Sequence, residues 1–333
     1  MTEAQVFDDF LVKHGLRSTS EPANYFPLTG GVSSEIYRVD LPGRSLCMKR
    51  ALAKLKVAAT WEAPISRSAF EWEWISFVSG VAPDSVPTPL AYDPELGLFA
   101  MSYLDPHKHP VWKSMLLSGQ VEPDTAKAIG RLVGRIHAAS TREPGLSERF
   151  ASDGNFHTLR LEPYLEATAL RHPNVSRQLF DLMARTASTK IALIHGDVSP
   201  KNILVGPKGP VILDAECAWF GDPAFDLAFC LNHLLLKCIL IPEKAVELRT
   251  SFDGLCTAYL AEVTWEAREA LEARASSLLP ALFLARIDGK SPVEYVNQER
   301  QRAAVRDCAI PLIRLPTAHL QDVAEAWYTD FMR

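Results

Sequence analysis

The chain has 333 residues, 47% hydrophobic and 23% charged, ordinary globular proportions that allow a sizeable core without disulfides or structural metals. Its 35 Lys and Arg against 40 Asp and Glu give a formal charge of −5, which argues against broad electrostatic capture of nucleic acid. Six scattered cysteines (Cys47, Cys217, Cys230, Cys238, Cys256 and Cys308) form no CxxC pair, so zinc-ribbon and thioredoxin readings fail.

The opening MTEAQVFDDF is acidic and polar where a secretory signal needs basic residues and then an apolar run. Residues 5–15 have the spacing of a short amphipathic helix on Val6, Phe7, Phe10 and Leu11. Strand-like pieces follow at 25–28, 36–41, 45–50 and 98–103, separated by glycines and prolines, and helical spacing intervenes at 67–81. From about Asp124 helical patterns dominate, over 126–139, 161–171, 177–187, 223–240, 244–260 and 264–287. A β-rich island, IALIHGDVSPKNILVGPKGPVILDAE, interrupts them at 191–216. The most apolar stretch, Leu227 to Ile241, is 15 residues long and contains Asn232, His233 and Lys237. A membrane span needs roughly 20 apolar residues, so a buried helix is expected, in a soluble cytoplasmic protein. The organisation is α+β. A strand-rich lobe over 1–104 meets a larger helical lobe over 105–333, with the join near 101–106.

The island carries the chemistry. Strand 191–194 leads into His195-Gly196-Asp197, and Asn202 follows five residues after the aspartate. The turn Gly206-Pro207-Lys208-Gly209 then links strand 203–205 to strand 211–213, which delivers Asp214. Strand–turn–strand places Asn202 beside Asp214 with Asp197 across the loop. Oxygen donors of this kind suit Mg²⁺ completed by phosphate and water. The remaining carboxylate can accept a proton from an attacking hydroxyl.

HGDVSPKN resembles the H-G-D-x-x-x-x-N catalytic loop of the aminoglycoside phosphotransferase and choline kinase superfamily, relatives of protein kinases. LDAECAWFGDPAFDL resembles the segment that follows in that family, a metal-binding Asp and then G-D-P-x-x-D-L. Gly196 stands where protein kinases have Arg, and Ala215-Glu216 where they have Phe-Gly, which favours the small-molecule branch. The resemblance runs from about Leu28 to Phe229. It implies a bilobal kinase fold, with a five-stranded antiparallel sheet and one helix joined by a hinge to a helical lobe. It also implies ATP and Mg²⁺ as cofactors and a small-molecule hydroxyl as acceptor, with no nucleic-acid or membrane partner.

Residue roles follow from the same resemblance. Asp197 would orient and deprotonate the hydroxyl, and Asn202 and Asp214 would hold the metal. Gly30, Gly31, Ser33 and Ser34 would cover the phosphates, since glycines admit close backbone approach. Lys49 would grip the α- and β-phosphates, and Met101, Ser102 and Tyr103 would line the adenine at the hinge. Asp226 would brace the catalytic loop, while Glu216 could face metal or substrate. The partner of Lys49 is read from helical periodicity. Taken from Phe70, Glu71 falls within the apolar face of Trp74, Phe77 and Val78, and Glu73 falls beyond its edge. Glu71 is the choice and Glu73 the fallback.

Other readings are weaker on the residues. Gly289-Lys290-Ser291 lacks the glycine that a Walker A loop needs five positions earlier, where Leu284 stands. There is no G-x-S-x-G and no H-E-x-x-H. A nucleotide-binding pseudokinase is an alternative, although every position the chemistry requires is filled. An aminoglycoside phosphotransferase is another. From Leu227 to Arg333 the chain has twelve Lys/Arg and fourteen Asp/Glu, a net of −2, without the acidic excess that a polycation requires. A sugar, polyol or hydroxy acid is therefore favoured. The acceptor's identity and the oligomeric state are not encoded in these motifs.

Overall fold

In a computed structural model, which describes residues 3–28, 34–52 and 67–331, the chain separates into two units, Met1–Asp105 and Pro106–Arg333. The first unit runs α1 (Glu3–Lys13), β1 (Asn24–Pro27), β2 (Ser34–Leu41), β3 (Arg44–Ala51), α2 (Arg67–Val81), β4 (Pro89–Asp93) and β5 (Leu98–Ser102). The strands form one antiparallel sheet in the order β1-β2-β3-β5-β4. Side chains alternate across a strand, and β3 uses both faces. Leu46 and Met48 enter a core with Phe7, Phe10 and Leu11 of α1 and with Val39, Leu41, Leu98 and Ala100. The alternate residues Cys47, Lys49 and Ala51 are turned the other way, toward Glu71 on α2. Strand β4 is not legible in the sequence. It lies in the proline-rich SVPTPLAYDP, and proline is tolerated there because β4 is an edge strand with a register shift between Pro89 and Ala91.

The second unit opens with α3 (Trp112–Leu117), α4 (Pro123–Ser140) and the short helices α5 (Leu146–Arg149) and α6 (Asp153–Phe156). A wide π-helical stretch then covers His157–Glu166 before α7 (Ala167–Arg171) and α8 (Ser176–Ser188). Pro163 lies inside that stretch and has no N–H to give to a helical ladder, so ordinary α-helix over 161–171, as its spacing led us to expect, is confined to α7. Strands β6 (Ala192–Ile194) and β9 (Trp219–Gly221) pair antiparallel, and β7 (Ile203–Gly206) and β8 (Gly209–Ile212) form a hairpin.

The rest is helical: α9 (Pro223–Leu240), α10 (Ala245–Glu262), α11 (Arg268–Asp288), α12 (Glu299–Arg314) and α13 (Leu320–Phe331). Helix α9 is long and apolar enough to cross a membrane by composition, but 94% of it is buried inside the unit as its central helix. Helices α4 and α10 lie unusually close. A Cβ added at Gly130 would sit 2.3 Å from the Leu255 carbonyl oxygen, and one at Gly134 would sit 2.8 Å from Cβ of Glu262. This approach brings His137 of α4 to Tyr259 of α10. Helices α12 and α13 escape the periodicity argument because α12 is polar along most of its length and carries Pro311.

Candidate active site

Strand β6 ends where the chain must turn sharply. Gly196 has φ of +76°, and a Cβ there would lie 2.6 Å from the Cys217 carbonyl oxygen, so glycine is the residue this turn accepts. The turn is fixed from below by α9. Asp222 caps that helix, accepting from the Ala224 N–H at 3.0 Å, and its carboxylate also takes Arg274 Nε at 3.1 Å. One turn on, the buried Asp226 carboxylate accepts the backbone N–H groups of His195 (2.7 Å) and Gly196 (2.8 Å). His137 Nε2 is 3.2 Å from Asp226 Oδ2, and its Nδ1 is 2.8 Å from the Tyr259 hydroxyl. The G-D-P-A-F-D spacing thus places one carboxylate at the helix end and the next beneath the loop.

His195 faces inward. Its Nε2 donates to the Leu213 carbonyl at 3.0 Å, and its Nδ1 accepts the Asp197 N–H at 3.1 Å. Burial holds its pKa below the usual value, which keeps the ring neutral as this donor–acceptor pattern requires. It acts as a strut for the loop.

Asp197 is buried and ionised. Arg160 Nη2 (2.8 Å) and Lys201 Nζ (3.0 Å) both meet its Oδ2. Burial alone would push this carboxyl up. The Arg160 guanidinium, and then the Lys201 ammonium, outweigh that and hold it well below the ordinary carboxylate range. Arg160 comes from the π-helical stretch and also donates through Nε to the Gly196 carbonyl. Sequence reasoning missed both cations. Lys201 was within reach, four residues after Asp197 in the same motif; nothing in the linear sequence points to Arg160.

Asn202 donates its side-chain N–H to the Asp197 carbonyl at 3.1 Å, and its own carbonyl accepts the Leu213 N–H at 2.8 Å. With Ile203 paired to Ile212, the β7–β8 hairpin brings Asn202 and Asp214 out at the same end. Asp214 has φ of +66° and is the only non-glycine residue with positive φ among those described. Such a conformation is uncommon and costly outside glycine, and it tends to occur at functional sites. The donor set fits Mg²⁺: one amide oxygen and one carboxylate, both hard ligands. Among the described residues no group of three or more His, Cys, Asp or Glu side chains could hold a metal, so phosphate and water oxygens would have to complete the shell. The Glu216 carbonyl accepts from Asn155 Nδ2 at 2.8 Å.

In the first unit, Lys49 Nζ lies 2.7 Å from Glu71 Oε1, with both side chains buried. The lysine's partner is Glu71, and Glu73 is only partly buried. Ser34 begins β2, buried opposite Ala51. Gly30, Gly31 and Ser33 lie outside the described residues. Met101 is buried opposite Cys47 in β3, and Tyr103 follows the end of β5, its ring 5.6 Å from the Arg38 guanidinium. Ser102 is committed to Thr88: its N–H donates to the Thr88 carbonyl, and its hydroxyl accepts the Thr88 N–H, each at 2.9 Å.

The two units have the fold of the protein-kinase-like small-molecule kinases. Residues 25–237 match the model of the phosphotransferase enzyme family, and the chain belongs to that family. It is 26% identical over 232 residues to a methylthioribose kinase of Escherichia coli, covering 60% of this chain and 54% of that one. It is likewise 26% identical to the methylthioribose kinase of Pectobacterium carotovorum, covering 83% and 75%. Among solved structures, a choline/ethanolamine kinase family protein from Mesorhizobium loti matches with a TM-score of 0.54 at 17% identity, covering 99% and 100% of the two chains. An amicoumacin kinase in complex with AMP-PNP and Ca²⁺ matches with a TM-score of 0.60 at 15% identity, covering 96% and 95%.

Proposed function

We propose that this protein transfers the γ-phosphoryl group of ATP to a hydroxyl of a small metabolite of the sugar, polyol or hydroxy acid class. The observation that carries the proposal is Asp197. It is a buried carboxylate, ionised and clamped on one oxygen, and it shares a loop with Asn202 beside the strained Asp214. The methylthioribose kinase relatives support a sugar-like acceptor.

In phosphoryl transfer through a loose transition state the protein mainly positions reactants and neutralises charge. Asp197 suits that task better than it suits strong base catalysis. A carboxylate held far below neutral pH is a weak base, yet its Oδ1 can accept a hydrogen bond from the acceptor hydroxyl and aim it. It takes the proton late, once attack has made the oxygen acidic. Lys201 and Arg160 keep the carboxylate ionised and stationary. Asn202 and Asp214 would hold Mg²⁺, which when bound neutralises phosphate charge. Lys49, fixed by Glu71, would meet the α- and β-phosphates, with residues 30–34 over them. The N-terminal unit would then be the nucleotide lobe, with Met101 and Tyr103 at the adenine.

The test is an ATP-consumption screen of the purified protein with Mg²⁺ and a library of neutral, anionic and polycationic hydroxyl compounds. Acceptor-dependent ADP release with a sugar, polyol or hydroxy acid supports the proposal. Turnover confined to aminoglycosides, or none with any acceptor, refutes it.

A further inference from the structure

Helix α9 carries His233 and Lys237 one turn apart, about 6 Å along the axis. Lys237 is 1% exposed, and no carboxylate lies within ion-pairing distance of it among the described residues. Its ammonium sits over the Tyr295 ring, 3.5 Å from the centroid. The acid nearest in its field, Glu294, is already paired with Lys113. Lysine is almost never fully buried without a counter-charge, because the desolvation cost goes unopposed.

The neighbours repeat the pattern. His233 Nε2, Arg286 Nε and the Tyr295 hydroxyl are all buried with no hydrogen-bond partner. Arg286 is anchored through Nη1 to the Tyr164 hydroxyl (3.1 Å) and the Ser291 hydroxyl (3.0 Å). The cluster is continuous with the candidate catalytic carboxylate. The His233 ring meets Phe229 at 5.6 Å, Phe229 carries the Arg160 guanidinium at 5.7 Å, and Arg160 holds Asp197. Lysine, arginine and tyrosine bring hydrogens that need acceptors, the cluster's net charge is positive, and buried donors of this kind call for oxygen acceptors.

We infer that Lys237, Arg286 and His233 form an anion-accepting end of the acceptor site, so that the substrate is a hydroxylated compound bearing an acidic group. This rests on the kinase reading above and narrows it to an acceptor whose carboxylate or phosphate supplies the counter-charge that Lys237 lacks. Burial depresses the Lys237 pKa to about 7. The groups in its field are Glu294, Lys113 and Arg286, with the Tyr295 ring against it and His233 on its own helix. A bound anion needs the ammonium form, so anion affinity falls as pH rises past 7.

The test uses matched sets on the full chain: aldonates of three to six carbons, the corresponding sugar phosphates, and the parent neutral sugars. Binding is read by calorimetry at pH 6.5 and 8.5, and turnover by ATP consumption. The expected result is that one anionic series binds at least tenfold tighter than its neutral parents at pH 6.5, with a smaller advantage at pH 8.5. Lys237→Met, which removes the charge and keeps the volume, should abolish that advantage; the pH comparison on the unsubstituted chain stands independently of that variant. The two anionic arms separate carboxylate from phosphate. Equal affinity for anions and parents, or an advantage that survives Lys237→Met, would overturn the inference and leave the Tyr295 ring as the lysine's sole purpose. Acceptor-dependent turnover of neutral sugars alone sinks this inference and leaves the kinase reading standing. Anion binding without acceptor-dependent ATP use by any compound keeps the anion site and sinks the kinase reading.

Discussion

Each unit is organised around a buried carboxylate with a lysine beside it, but the two are held in different ways. In the N-terminal unit Glu71 and Lys49 meet at 2.7 Å across the space between α2 and β3. In the C-terminal unit Asp197 meets two cations on one oxygen, and its loop hangs from Asp226 by two backbone hydrogen bonds. The first arrangement is reciprocal, each partner giving the other its position. The second is over-determined, with backbone hydrogen bonds holding the loop and two cations holding its carboxylate. On the proposed function Lys49 would meet flexible, highly charged phosphates, and a single ion pair suffices to present a point charge to them. An acceptor hydroxyl must be aimed, and aiming needs redundancy.

The largest expected effect tests the over-determined side. Asp197→Asn keeps the volume and should lower acceptor-dependent turnover by about 10²–10⁴-fold, the usual loss for a positioned acid–base group. Nucleotide affinity should stay nearly unchanged if the residue acts on the acceptor. Steady-state kinetics with a nucleotide titration checks both, and activity within threefold of the unsubstituted protein would remove Asp197 from the role.

Asp226→Ala asks what holds the loop. It leaves two buried N–H groups and His137 without their acceptor, each unsatisfied group costing about 1–3 kcal/mol, so a loss of about 3–9 kcal/mol in unfolding free energy is expected. Denaturant titration measures it. A change under 1 kcal/mol would mean that the Gly196 turn is fixed by Arg160 and the Cys217 contact alone.

On the reciprocal side, Lys49→Ala and Glu71→Ala should each lower kcat/KM, and the double variant should be little worse than either. Contacting pairs typically couple by about 0.5–3 kcal/mol. A kinetic double-mutant cycle reads the coupling directly. Additive losses would show that Lys49 keeps its place without Glu71, and the contrast between the two units would dissolve.

The same contrast explains what could be read from the residues alone. The α+β plan, the sheet strands carrying Lys49 and Met101, and α2's inward carboxylate were legible, because alternation and helical periodicity record which side faces a core. The loop from His195 to Asp214 was legible because its spacing is local. Arg160 was invisible: it sits 37 positions before Asp197 on a π-helical stretch whose geometry Pro163 helps to set. Tyr259 escaped for a related reason. Its meeting with His137 depends on Gly130 and Gly134, which read as weak points of a helix and act as the means of close packing. The unpaired lysine on α9 read only as a charge that disfavours membrane insertion.

The smallest effect expected concerns the electrostatics of Asp197, and it separates positioning from charge. Burial raises this carboxyl's pKa, while Arg160 and Lys201 lower it further than burial raises it. The folded pKa therefore lies below the unfolded value near 3.9. The stabilisation it brings is fully present above that value and is lost as pH falls through the folded pKa. Between pH 5 and 9 Asp197 stays ionised, so the acid limb of kcat/KM should not report it. Arg160→Met removes the larger of the two opposing charges and leaves burial countered by Lys201 alone. The carboxyl pKa then rises, and an acid limb should move into the range above pH 5, with activity recovering as pH increases. Arg160→Lys should restore a flat profile, since it returns the charge without the guanidinium's further bond to the Gly196 carbonyl. The comparison is a pH–rate profile of the three proteins with one acceptor at saturating nucleotide. If Arg160→Met lowers turnover equally at every pH, the guanidinium positions Asp197 without tuning it, and redundancy of contact rather than of charge is what distinguishes the Asp197 loop from the Lys49–Glu71 pair.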